Sequence, residues 1–115
     1  MATKAEIRNM AARKVGVLGI GQSLSAQYTD IIDAAYDSLF HQLRKLGLNT
    51  WAYAAEVPTE IEDYYSTVVA GKCCLELGAS TEKIGILSAA TPVAMREMQI
   101  YLSPSYAATD DVEDF

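Results

Sequence analysis

Apolar and polar positions alternate along this chain with a helical period. Ile7, Met10, Ala11 and Val15 recur at i, i+3, i+4 and i+8, which is one face of a helix. Thr3 and Glu6 have the spacing of a capping box, in which hydroxyl and carboxylate each satisfy a free backbone N–H. Gly16 suits the left-handed residue that closes such a helix. The first helix is therefore predicted over 4–15. An apolar loop broken by glycines follows, and Ser25 is placed to cap a second helix over 26–46 that stops at Gly47. Its core face, Tyr28, Ile31, Ile32, Ala35, Tyr36, Leu39, Leu43 and Leu46, fits within about 140° of arc. Asp30, Asp33, Asp37, His41 and Arg44 take the opposite side, and Phe40 breaks the pattern beside them.

Residues 48–57 read as a connector in which Trp51 and Tyr53 alternate like a short extended stretch. After Pro58, Thr59 and Glu62 repeat the capping-box spacing and predict a third helix over 60–77, ending at Gly78. Its segment 68–75 is apolar nearly all round, the pattern of a helix covered on several sides, so it is expected to be the most buried. Thr81 is placed to cap a fourth helix over 82–102. The stripe Ile84, Leu87, Met95, Met98 and Leu102 keeps helical phase through Pro92. A proline there loses the bond to Ser88 and clashes, at a cost of about 3 kcal/mol. The sequence thus predicts a kink at Pro92, or a nearly collinear second helix capped by Thr91 with Pro92 at its first position. Residues 103–115 have Pro104, no periodicity and four close carboxylates. The expected fold is all-α: four main helices in a small bundle over 1–102, then an extended acidic tail over 103–115.

One feature of the fourth helix does not fit a monomer. A second apolar stripe, Ile86, Val93 and Ile100, runs at seven-residue spacing almost opposite the first. A helix apolar on two sides must bury both. Ile86, Val93 and Ile100, with the out-of-pattern Phe40, are therefore the predicted subunit interface. Seven tyrosines in 115 residues point the same way, since tyrosine is enriched at interfaces. The tail has too few apolar residues to fold alone. It is expected to dock on another subunit, with Tyr106 and Phe115 as anchors. Asp110, Asp111, Glu113 and Asp114 would then face cations there.

Composition narrows the chemistry. Half the residues are apolar and 21% are charged, the balance of a globular chain. The net charge of −6 lacks the basic footprint of a protein that grips phosphates. Neither a membrane span nor a signal peptide is expected from the apolar runs. The two cysteines, Cys73 and Cys74, are adjacent in an apolar segment and read as small core residues of a reducing compartment. No metal site is expected from one histidine and two cysteines.

Three motifs could carry more. Gly16, Gly19 and Gly21 resemble the turn of a dinucleotide-binding fold, but Leu24 occupies the third glycine position and no further strands follow. The bland reading, an interhelical loop, is preferred, and no cofactor is expected. His41 sits one turn after Asp37, a helix-surface contact rather than a catalytic dyad, because no nucleophile accompanies it. Asp30, Asp33 and Asp37 on one helix cannot encircle a cation and read as a solvated face.

Arg13-Lys14-Val15-Gly16-Val17-Leu18, then Gly21 and Ser25, then a long amphipathic helix closing at Leu46-Gly47-Leu48, resembles the opening of tailed-phage head-to-tail connector (adaptor) proteins. That family includes the packaged-DNA-stabilising tail accessory factors of short-tailed phages. A second long helix entered through Val57-Pro58, carrying Val68, Ala70 and Leu75 and closing at Leu77-Gly78, is similar too. The likeness covers residues 3 to about 80 and departs at Cys73-Cys74, at Pro92 and in the short acidic tail. It implies a structural virion protein without enzymatic activity, made in the host bacterial cytoplasm. It implies a ring, dodecameric in the family, docked below the portal, so that the acidic tail would dock on a ring neighbour or on the portal. Such a ring extends the DNA channel, helps retain packaged DNA and offers a platform to tail nozzle or tube proteins. An acidic chain suits a channel through which double-stranded DNA passes without specific binding. The alternative from another class is a stand-alone regulatory helical module with a small protein partner.

Overall fold

The computed structural model describes residues 1–19, 21–48 and 56–102. Among these it holds four helices and no strand: α1 (Lys4–Val15), α2 (Ala26–Lys45), α3 (Glu62–Cys73) and α4 (Thr81–Leu102). A single 3-10 turn, Thr59–Ile61, leads into α3. The predicted extended stretch at Trp51 and Tyr53 and the whole tail, 103–115, lie outside the described residues.

Local chemistry sets the ends of α1. The Thr3 hydroxyl accepts the Glu6 N–H, the Glu6 carboxylate accepts the Thr3 N–H, and Gly16 closes the helix at φ +93°. Ser25 accepts the Tyr28 N–H at the start of α2. The second predicted capping box does not form, because Pro58 and Ile61, the residues before the 3-10 turn and α3, make no side-chain cap. The Thr59 hydroxyl instead accepts from the Met1 ammonium at 2.8 Å. Ala2 and Val57 exchange both backbone hydrogen bonds beside it, at 3.1 and 2.7 Å. A partner 58 residues away thus takes the hydroxyl that the local motif assigned to a cap. The regular part of α3 is also shorter than the predicted 60–77, and turns carry the chain from Cys74 to Gly78.

α3 is the central helix. It packs on each of the other three, whereas the backbones of α2 and α4 do not approach each other closely. Half of its twelve residues are buried, a larger share than in any other helix. Against α2, Tyr65 packs on Tyr36 with ring centroids 5.0 Å apart and donates its hydroxyl to the Tyr36 carbonyl. Against α4, Gly71 allows close approach: a Cβ there would overlap Thr91 Oγ1 and stand 3.3 Å from Thr91 Cβ. Cys73 and Cys74 are buried free thiols in the core.

α4 runs as one helix from Thr81 to Leu102 with Pro92 inside it. Thr91 does not cap a second helix. Its hydroxyl donates to the Leu87 carbonyl at 2.7 Å, the back-bond of a threonine in mid-helix. At the start, Ser80 rather than Thr81 supplies the capping oxygen, accepting the Lys83 N–H.

Candidate interaction surface

The two faces of α4 differ as its two stripes predict. Leu87, Ala94 and Met98 are buried against the body, with Ile84, Met95 and Leu102 half-buried beside them. On the other side Ile86, Val93 and Ile100 are 55%, 49% and 44% exposed, and Tyr101 is 41% exposed. Ile86 and Val93 line a groove of about 550 Å³, with Ala89 and Ala90 between them and Tyr64 and Thr67 of α3 across from them. The small side chains lie between the larger ones, so the surface is concave.

Tyr64 lines this groove. Its ring stacks on Tyr101 with centroids 6.2 Å apart. Burial pushes its phenol above the ordinary tyrosine value, and the carboxylates of Glu97 and Asp63 add to the shift. Asp63 forms the rim, where Lys14 of α1 bonds it at 2.8 Å. Lys83 lies beside the end of α1, its Cε 3.8 Å from where a Gly16 Cβ would stand. Arg13, Lys14 and Lys83 thus place three cations around the C-terminal end of α1. No described carboxylate pairs with Arg13 or Lys83.

Phe40 corrects the predicted interface. It is 3% exposed, edge-on to His41 at 5.9 Å, so it is buried by its own chain and cannot meet a second subunit. Its place in the helical pattern misled because the pattern counts only positions on α2. The six tail residues predicted to dock, Tyr106, Asp110, Asp111, Glu113, Asp114 and Phe115, lie outside the described residues. The α3 side of the groove, Tyr64 and Thr67, carried no sequence signal of its own, because α3 is apolar nearly all round.

The other candidates resolve into structure. Residues 16–19 and 21–25 form a loop with no strand, and the Gly19 N–H is bonded by the Gln22 side chain at 2.8 Å. The aspartates of α2 act one by one. Asp33 takes both bonds of a forked pair from Arg8, at 2.7 and 3.0 Å, Asp37 takes Lys4 at 3.0 Å, and Asp30 is exposed. Asp33 and Asp37 knit α1 to α2, whereas Asp30 keeps the solvated position expected of it. His41 is exposed on α2. No group of carboxylate, histidine or cysteine side chains among the described residues could hold a metal ion, and no described helix is long and apolar enough to cross a membrane. No protein-family model, curated protein or solved structure matches this chain.

Proposed function

We propose that this chain is a structural subunit of a tailed-phage head-to-tail connector. Copies form an adaptor ring, a dodecamer in the family it resembles, docked below the portal protein. The ring extends the DNA channel, helps retain packaged DNA and receives the tail nozzle or tube proteins. The observation that supports this best is the outer face of α4. Three large aliphatic side chains at seven-residue spacing stay 44–55% exposed beside an apolar groove, on a helix whose other face is already in the core. A neighbouring copy covers such a face, and a contact between different patches of two copies closes into a ring when its rotation does. The formal charge of −6 accords with a lumen that repels phosphate, so DNA slides rather than binds. On this reading the protein acts without a cofactor and without catalysis, and its place is the head–tail interface of the virion.

Sedimentation of the pure protein alone and mixed with a tailed-phage portal ring tests the reading. Co-sedimentation of a ring of this chain with the portal supports it. A chain that stays monomeric at every concentration and ignores the portal overturns it.

A further inference from the structure

We propose that the outer face of α4 makes a two-fold contact: α4 of a second copy of this chain lies antiparallel across it, and this pair is the form of the free chain. Pairing goes beyond the ring reading, because it needs two copies and no portal. It also competes with the ring, since ring closure sets the same face against a different patch of a neighbour. Three rows of side chains run along this face at seven-residue spacing, which departs from two whole turns by about 20°. The middle row is Ile86, Val93 and Ile100. One flank is Glu82, Ala89 and Arg96, and the other is Lys83, Ala90 and Glu97. Each flank thus reads charge, alanine, opposite charge.

A row of that kind complements its own copy when the copy is reversed. A two-fold axis across α4, level with the peptide between Ala89 and Ala90, sets each flank against the same flank running the other way. Ile86 of each copy then stands level with Val93 of the other. Lys83 meets Glu97, and Glu82 meets Arg96, to within one residue's rise of about 1.5 Å. Between these ion pairs Ala89 and Ala90 face their own copies, and side chains that small let the helix axes approach to roughly 8 Å. The charges are available for it. Glu82, Lys83 and Arg96 are exposed and Glu97 is half-buried, and none of them is in an ion pair among the described residues.

The groove selects the antiparallel pair over a parallel one. A parallel pair also matches charges, Lys83 with Glu82 and Glu97 with Arg96. However, α3 lies on one side of the face, the Ala90 side, where Gly71 meets Thr91 and Tyr64 stacks on Tyr101. An axis across α4 keeps the two α3 helices on the same side, so both grooves open into one space walled by Tyr64 and Thr67 of each copy. A parallel pair sets the α3 helices on opposite sides and leaves each groove open along one edge. The antiparallel pair therefore covers Ile86, Val93 and the groove together, as exposed apolar surface requires.

Charge reversal in the full-length chain, read by sedimentation equilibrium, tests this. The parent should form a dimer. Lys83→Glu and Glu97→Lys should each weaken it about tenfold, because each change sets like charges together at two symmetric places. An equimolar mixture of the two variants should recover the dimer, and so should the double variant K83E/E97K. In a parallel pair the double change worsens the match, because Glu82 and Arg96 then face like charges. If Lys83→Glu lowers helicity by circular dichroism, Glu82→Arg and Arg96→Glu serve in the same design. A parent with no dimer at any concentration overturns the proposal. So does a dimer that the single changes do not weaken, or that the double change does not restore. Adding a portal ring separates the two readings. Rings on the portal with no dimer in its absence sink the pair alone, whereas a dimer that never joins the portal sinks the ring and keeps the pair.

Discussion

Between α1 and α2 the rim contacts are ionic, with Arg8 clasping Asp33 by two bonds and Lys4 reaching Asp37 while its ammonium lies 5.4 Å from the Tyr36 ring centre. Between α3 and α4 they are steric and aromatic, with Gly71 against Thr91 and Tyr64 stacked on Tyr101. The difference decides what each side of the molecule can do. The ionic seam is finished: its charges meet within the chain. The α3/α4 seam is finished only on its inner side, and its outer side leaves Ile86 and Val93 lining a groove. Apolar surface of that kind is stabilised only when something covers it.

The strongest way to break the contrast is at the inner side of α4. Met98 is fully buried, and Met98→Ala should cost about 2–5 kcal/mol, visible as a large fall in urea midpoint. A loss under about 1 kcal/mol would show that α4 contributes little to the core. Gly71→Ala comes next. Overpacking against Thr91 should cost about 1–3 kcal/mol. The double variant G71A/T91A should recover part of it, because the hydroxyl that blocks the new methyl is gone, and strict additivity of the two changes would contradict the close approach.

The ionic seam should respond more weakly. Arg8→Ala should cost about 1 kcal/mol, since the pair is only partly buried, and the difference from the parent should shrink in about 1 M salt, where screening reaches about 3 Å. Arg8→Lys should not restore it fully, because an ammonium cannot make the forked pair. Two smaller effects follow from titrating groups. Burial pushes the Cys73 thiol up to about 12. The neutral thiol is thus favoured by the fold, so this contribution is present below the ordinary thiol value and is lost as pH rises towards 12. Iodoacetamide near neutral pH should label Cys73 only after unfolding, and rapid labelling of native protein would contradict its burial. Bonds from the Thr3 N–H and hydroxyl hold the Glu6 carboxyl below its ordinary value. Its contribution is present above the unfolded value and lost as pH falls through the folded one. Glu6→Gln should therefore flatten the acid limb of the stability curve slightly, and an unchanged limb would show that the box does not persist in solution.

What was legible in the sequence follows the same division between local and distant causes. The bounds of α1 and the start of α2 were readable because Thr3, Glu6, Gly16 and Ser25 act on neighbours within a turn. Thr59 failed as a cap because its hydroxyl is engaged by the Met1 ammonium, a contact no local motif encodes. Pro92 was expected to kink or divide the last helix. α4 is undivided there, and Thr91 bonds back to Leu87 rather than capping a new start. The outer stripe of α4 was legible because periodicity reports which side chains share a face. Its partner wall, Tyr64 and Thr67, was not, since the groove exists only where α3 and α4 approach. Phe40 shows the limit of such patterns: its position looked solvent-facing, yet it is buried by its own chain.

The central claim is that the outer face of α4 is a subunit interface. Sedimentation equilibrium of the parent chain and Val93→Asp, with circular dichroism on the same samples, tests it most directly. An unpaired charge in a desolvated contact costs several kcal/mol at each interface. The account predicts closed oligomers for the parent, monomers for Val93→Asp, and equal helicity for both. Oligomers that persist in Val93→Asp, or a variant that loses its helices, would contradict it, because Val93 would then belong to no interface or to the core.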